Sequence, residues 1–177
     1  LSLKPNYAEA YSNMGNALKD QGKLDEAIEV YNKTLSLKPD YADAYYNMGN
    51  ALKDQGKLDE AIEVYNKALS LKPDNIEFYN NLGITLNNMG RLDEAEASLS
   101  QAIFLSSQDA ESHNNLGNTL QELGRLEEAE ASFRQAILLK PDHAQAHQNL
   151  SFTLLSSGKL KEGLDEFEWR LKTSDFL

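Results

Sequence analysis

The sequence predicts an all-α chain of stacked helical hairpins. Three features carry that prediction: a fixed 34-residue period, glycine and proline at fixed places within it, and apolar residues at helical spacing between them. Residues 1–41 laid over 35–75 differ only at Asn6/Asp40, Glu9/Asp43, Ser12/Tyr46, Thr34/Ala68 and Tyr41/Asn75. Glycine recurs at Gly22, Gly56, Gly90, Gly124 and Gly158, and proline at Pro5, Pro39, Pro73 and Pro141.

Each period reads as two helices. Tyr11, Met14, Gly15 and Leu18 fall at i, i+3, i+4 and i+7, one face of a helix, so they are expected in the core. Gly22 ends that helix because glycine adopts the left-handed cap conformation without strain. Leu24, Ala27, Ile28, Tyr31 and Leu35 form a second stripe, which Pro39 stops. Asn6, Asp40, Asp74 and Asp142 then stand where an N-cap is expected, with Glu9, Asp43, Glu77 and Gln145 three residues on. Gly15, Gly49, Gly83 and Gly117 sit inside helices, at about 1 kcal/mol each relative to alanine, so close approach of a neighbouring helix is expected there. Five hairpins, 8–41, 42–75, 76–109, 110–143 and 144–177, follow a tail of an upstream repeat at 1–7, giving ten full helices. One hairpin cannot bury both of its stripes, and stacking the copies does.

The pattern aromatic-x-x-[LM]-G, then G-[KR]-L-[DE]-[DE]-A, then an aromatic, a small residue and a proline, resembles the tetratricopeptide repeat over essentially the whole chain. The resemblance implies a right-handed α-solenoid with first helices on its concave face and second helices on its convex face, acting as a scaffold for proteins or peptides. The fifth copy departs from the pattern: Ser151, Gly163 and Arg170 replace the usual glycine, alanine and alanine. Its end, "EGLDEFEWRLK", reads as a capping helix with Trp169 over the last open core face, and it also looks like the closing repeat of arrays joined to a glycosyltransferase.

Bulk properties narrow the function. The net charge of −11 repels phosphate backbones and anionic membranes, so neither nucleic acid nor membrane is an expected partner. No apolar run approaches the roughly 18 residues of a membrane span. There is no cysteine, hence no disulfide or thiolate chemistry. The compartment stays open, with the cytoplasm as the default. No catalytic constellation, phosphate loop, cofactor motif or calcium loop is present, so the chain reads as non-enzymatic, with neither cofactor nor metal. His143 and His147 have a metal-compatible i, i+4 spacing, but His147 occupies the aromatic packing slot of Tyr11 and His143 the inter-helix slot of Tyr7 and Tyr41.

The remaining pattern is a ladder of asparagines. Asn13, Asn47, Asn81, Asn115 and Asn149 recur at strict 34-residue steps, and Asn16, Asn50 and Asn118 add a second ladder broken at Ile84 and Phe152. Asparagine is a poor helix former, and Asn13 faces away from the Tyr11/Met14/Gly15/Leu18 stripe. Its amide offers a donor and an acceptor, which matches a peptide unit, so these eight residues are the candidate site for an extended peptide. The alternative is hydrogen bonding between neighbouring repeats. The arrays of O-linked N-acetylglucosamine transferases resemble this ladder closely, which implies a substrate-recognition region of a larger glycosyltransferase as the rival reading. A self-assembling structural array is a third. The lysine- and arginine-lined clamp for acidic chaperone tails does not fit, because Ser12, Tyr46, Asn80, Asn114 and Gln148, read as exposed neighbours of the groove, carry no charge. Leu1 and Leu3 lead to an expected weak self-association through the N-terminal end.

Overall fold

The computed structural model describes residues 6–173, and the side-chain surroundings of residues 7–169. The described residues form ten helices and no strand: α1 (Asn6–Asp20), α2 (Leu24–Leu37), α3 (Ala42–Asp54), α4 (Leu58–Leu71), α5 (Ile76–Asn88), α6 (Leu92–Leu105), α7 (Ala110–Glu122), α8 (Leu126–Leu139), α9 (Ala144–Ser156) and α10 (Leu160–Thr173). Two compact units divide the chain, Leu1–Met89 and Gly90–Leu177, and the division falls between α5 and α6.

The turn glycines work as the sequence predicts. At Gly56, φ is 78°, and the chain closes a Schellman motif: Gly56 N–H donates to Lys53 O at 2.9 Å and Lys57 N–H to Leu52 O at 2.9 Å. The proline turns correct the expected caps. Tyr41 N–H donates back to Lys38 O at 3.2 Å, and His143 N–H to Lys140 O at 3.0 Å. Pro39 and Asp40, like Pro141 and Asp142, are therefore the two central residues of a four-residue turn. The cap lies one residue later than Asp40, Asp74 and Asp142, at Tyr41, Asn75 and His143. Of these only Asn75 caps with its side chain, accepting from Phe78 N–H at 3.0 Å, and Asp109 does the same for Ser112 N–H at 2.8 Å. Asn6 as a cap, and Leu1, Leu3, Phe176 and the Arg170 side chain, lie outside the described residues and surroundings.

Within the first unit, α1 packs on α2, α3 on α4, and each hairpin on the next. The internal glycines make room for an aromatic ring. A Cβ on Gly49 would lie 2.5 Å from the Tyr65 ring, and one on Gly15 equally close to Tyr31. Both rings are fully buried, flanked by Ala27 or Ala61. Met48 of α3 packs against the cluster of Leu18, Val30 and Tyr31 in the preceding hairpin. Met14 holds the same position in α1, where no described helix precedes it, and it is 51% exposed instead of buried as expected. Tyr7 and Leu37 of the same hairpin are exposed as well.

The second unit repeats the scheme with Phe133 lying over Gly117, in a core completed by Leu120, Leu150 and Leu154. It breaks down at α10. Phe167 stands where Tyr31, Tyr65 and Phe133 are fully buried, yet it is 50% exposed. Ser151 replaces the glycine beneath the ring, and its Oγ donates to Gly163 O at 2.7 Å. The hydroxymethyl group fills the ring's place, and α10 instead presents Gly163 to Leu155 and Glu166 to His147. The expected cap is thus Trp169, stacked on His147 at 3.7 Å, without Phe167.

Candidate functional site

The spacing of the helices defines an inner face in each unit. Among the described residues, the backbone of α1 approaches α3, α3 approaches α5, and α7 approaches α9, whereas α2 stays apart from α4 and α8 from α10. Each unit is crowded along its odd-numbered helices, which carry the asparagines.

In the first unit, five of the eight candidates fall into two states. Asn16 accepts from Tyr31 Oη–H and Asn50 from Tyr65 Oη–H, both at 2.7 Å, so their carbonyls tie the two helices of a hairpin together. Burial pushes the Tyr31 phenol well above its usual range, with Asp20 adding to the shift; Tyr65 is raised likewise by burial, then by Tyr46 and Asp54. Both phenols therefore stay protonated as donors. Asn81 is engaged between hairpins. Its Nδ2–H donates to Tyr46 Oη at 2.8 Å and to Glu77 O at 3.1 Å, and its Oδ1 accepts from Lys53 Nζ at 3.1 Å. Tyr46 in turn donates to Glu77 Oε1 at 2.6 Å and stacks on Phe78 at 4.6 Å. By contrast, no side-chain hydrogen bond among the described residues engages Asn13 or Asn47. Asn13 is exposed and Asn47 half-buried.

A single substitution explains the difference between the rungs. Tyr46 precedes the ladder position by one residue and reaches the next hairpin's Asn81. The equivalent Ser12 is too short to reach Asn47, which keeps both amide groups free. This slot also corrects the sequence reading. Ser12, Tyr46, Asn80 and Asn114 are buried, between 3% and 8% exposed, and the partners of Tyr46 and Asn114 lie on the following hairpin of the same unit. A helical wheel drawn from one hairpin does not contain that neighbour.

In the second unit, Asn149 Nδ2–H donates to Asn118 Oδ1 at 2.7 Å and to Asn114 Oδ1 at 3.2 Å, while its own Oδ1 accepts from Gln145 at 2.9 Å. Asn118 is free to accept because the ring beside Gly117 is Phe133, with no hydroxyl. No side-chain hydrogen bond among the described residues engages the half-buried Asn115. The ladder thus contains three open amides, Asn13, Asn47 and Asn115, and two closed ones, Asn81 and Asn149. The mutual use of Asn149 and Asn118 was within reach of the sequence, since Phe133 departs from the tyrosine that occupies Asn16 and Asn50.

The histidines do structural work. His147 is buried, with Nδ1 2.6 Å from Glu166 Oε2 and Nε2 3.0 Å from Pro141 O, which occupies both ring nitrogens and leaves neither for a metal. His143 Nε2 lies 3.4 Å from Glu111 Oε1. Among the described residues no helix is long and apolar enough to cross a membrane.

No protein of curated function matches the chain in sequence. Several solved structures share its fold. MamA (residues 41 to the end) from Desulfovibrio magneticus RS-1 superposes with a TM-score of 0.87 at 22% identity, covering 97% of this chain and 98% of that one. Pseudomonas aeruginosa pilF gives 0.86 at 20% identity, over 97% and 78%. YrrB, described as a TPR protein with an unusual peptide-binding site, gives 0.73 at 28% identity, over 89% and 81%. Residues 5–172 match the family described as the cilia and flagella-associated protein 70 C-terminal domain. The helical hairpins, the glycine–aromatic joints and that match over nearly the whole length agree: the chain is a tetratricopeptide-repeat protein and belongs to the family of the cilia and flagella-associated protein 70 C-terminal domain.

Proposed function

We propose that the chain is a non-catalytic scaffold that binds extended protein segments along its odd-numbered helices, with open asparagine amides gripping the ligand backbone. The observation that carries this reading is the contrast along the ladder. Asn81 and Asn149 hydrogen-bond within their own units, whereas Asn13 and Asn47 on odd-numbered helices of the first unit, and Asn115 on one of the second, have no side-chain hydrogen-bond partner among the described residues. Each open amide can donate to a peptide carbonyl and accept from a peptide N–H. Asn16, Asn50, Asn81, Asn118 and Asn149, candidates by sequence, brace the helices of their own units and leave binding to the other three. The peptide-binding site in the printed description of YrrB supports the class of ligand.

The test is a triple variant, Asn13→Ala/Asn47→Ala/Asn115→Ala, assayed by fluorescence anisotropy against unstructured peptides. Its melting temperature stays the same or rises slightly, because alanine is the better helix former. Affinity falls by about 1 kcal/mol per lost hydrogen bond. Unchanged affinity refutes the role of the amides.

The same proposal keeps the five 34-residue repeat boundaries and the weak association between copies through the N-terminal end, which analytical ultracentrifugation over a range of concentrations tests. If the chain is part of a longer glycosyltransferase, this face is the surface that recognises protein substrates. Loss of protein glycosylation, with short-peptide glycosylation intact, in the triple variant of that enzyme is the expected result.

A further inference from the structure

Along the 34-residue period, the slot of His147 is filled by Tyr11, Tyr45, Tyr79 and His113, and that of Glu166 by Val30, Val64, Ser98 and Ser132. Only in the fifth copy do these two slots pair an imidazole with a carboxylate. His147 is buried, and the Glu166 side chain is 24% exposed. The imidazole has an acceptor at each nitrogen: Pro141 O lies 3.0 Å from Nε2, and Glu166 Oε2 lies 2.6 Å from Nδ1. A backbone carbonyl can only accept, so Nε2 carries a proton and donates it. Nδ1 of a neutral ring is then a lone pair, and a lone pair facing an ionised carboxylate is repulsive. A further proton between Nδ1 and Oε2 turns that contact into a hydrogen bond. His113 is the one-proton counterpart. Its Nε2 reaches the equivalent carbonyl, Ser107 O, at 3.2 Å, and Ser132 stands at the position of Glu166.

The surroundings suit a charged ring. Trp169 stacks on His147 at 3.7 Å, and an indole face attracts a cation. Other charged groups around the pair have partners of their own or stand in solvent. Arg134 of α8, which lines the same cavity as Glu166, is held by Glu130 at 3.0 Å and Glu162 at 2.8 Å. His143, one turn earlier on α9, faces Glu111 of α7 at 3.4 Å. Lys140 and Asp142, on either side of Pro141, are exposed. Apolar support for α10 is thin, since Leu160, Leu164 and Phe167 are each half exposed or more. We infer that His147 and Glu166 form a proton-operated latch: α10 is held on α9 while the pair keeps a proton between Nδ1 and Oε2, and is released when that proton leaves. Just below the ordinary imidazole value, about 6.5, a free histidine is already charged and the latch contributes in full. As pH rises the pair gives up its proton, and two acceptors are left facing each other. Release uncovers the α9 side of the joint, where Ser151 bonds Gly163 O and Leu155 meets Gly163.

Amide hydrogen exchange of the full chain tests this, corrected for the intrinsic effect of pH and run from about two units below to about two units above the imidazole value. The ring-proton resonances of the histidines are followed alongside. Protection of α10 should fall about tenfold relative to α7 as pH rises, the worth of one charge-assisted hydrogen bond, and the fall should coincide with the titration of His147. Glu166→Gln should abolish the pH dependence, because an amide N–H donates to Nδ1 of the neutral ring without a further proton. His143→Gln should leave it intact. If protection of α10 follows that of α7 at every pH, or stays level while His147 titrates, the latch does not exist. If α10 of Glu166→Gln loosens with pH as the parent does, the proton lies elsewhere and the inference is wrong. Should Glu166→Gln lose α10 at every pH, His147→Phe, which keeps a ring on Trp169 and has no ring proton to give, decides between the two. A level profile then supports the latch, and a fall like the parent's overturns it.

Discussion

All eight tyrosines precede Gly90, and all four arginines and all three histidines follow Met89. The two units share one hairpin design and hold it together differently. In the first, Tyr31 and Tyr65 bond Asn16 and Asn50, and Tyr46 bonds Glu77 and Asn81. In the second, Arg125 bridges Glu96 and Glu128, and Arg134 and Lys159 converge on Glu130. What both units keep is a ring resting on a glycine, Tyr65 on Gly49 and Phe133 on Gly117. The fold lives in that joint, and the outer bonds can change from phenol to guanidinium without altering it.

Breaking the shared joint should have the largest effect, and the same one in either unit. Gly49→Ser or Gly117→Ser forces a side chain into a space filled by a buried ring, at an overpacking cost of about 1–3 kcal/mol. That exceeds the few tenths that serine gains over glycine in a helix. Chemical denaturation measures the loss, and an unchanged midpoint would mean that the joint is loose. Serine is already accommodated at Ser151 because Phe167 is outside the core there.

Next in size are the bonds peculiar to the first unit. Tyr65→Phe removes the hydroxyl bound to Asn50 and Asn81→Ala removes the bridge from Tyr46; each should cost about 1 kcal/mol in the same measurement. Phe133 shows that the ring alone suffices for packing, so the loss at Tyr65 reports the hydroxyl and nothing else. Equal stability of Tyr65→Phe and the parent would refute its role.

The pH scale should separate the units further. Burial, then Glu77 for Tyr46, holds the phenols of Tyr31, Tyr46 and Tyr65 above their ordinary range. A group raised on folding gives its full contribution below the unfolded value, about 10 for tyrosine, and loses it as pH climbs beyond. Phenolate absorbance from these three should therefore appear only as helicity is lost. Glu130 is opposite in sign: burial alone would raise it, but Lys159 and Arg134 outweigh burial and hold it low. Its contribution is present above the ordinary carboxylate range and fades as pH falls through the lowered value. Glu130→Gln should flatten the acid limb of stability and leave the alkaline limb unchanged, as thermal melts against pH would show. The smallest effect belongs to Asn47→Ala, a gain of a few tenths of a kcal/mol, because the open amide contributes nothing to the fold and alanine favours the helix.

The period, the turn glycines and the ten helices were legible because each hairpin states them locally: an apolar stripe, a glycine, a stripe, a proline. The caps were displaced by one residue because Lys38 to Tyr41 closes its own turn, a bond that the spacing of Asp40 and Asp43 does not reveal. The asparagine ladder was legible as a pattern, but its division into open and closed rungs was not. Whether Asn47 or Asn81 finds a partner depends on the reach of Ser12 or Tyr46 across to the following hairpin, a tertiary fact. Exposure at the Tyr46 slot was misjudged for the same reason.

Trp169, stacked on His147 at the second unit's last hairpin, is the chain's only tryptophan. Its indole emission is therefore a single-site optical gauge of whether α10 is seated on α9. Glycine at 163 and a displaced Phe167 leave that helix with less apolar packing than its predecessors, so the gauge sits on the part of the array best placed to detach first. Emission should change at lower denaturant than the far-ultraviolet helical signal, and the gap between the two curves would measure, without any label, how far unfolding at this end runs ahead of the rest.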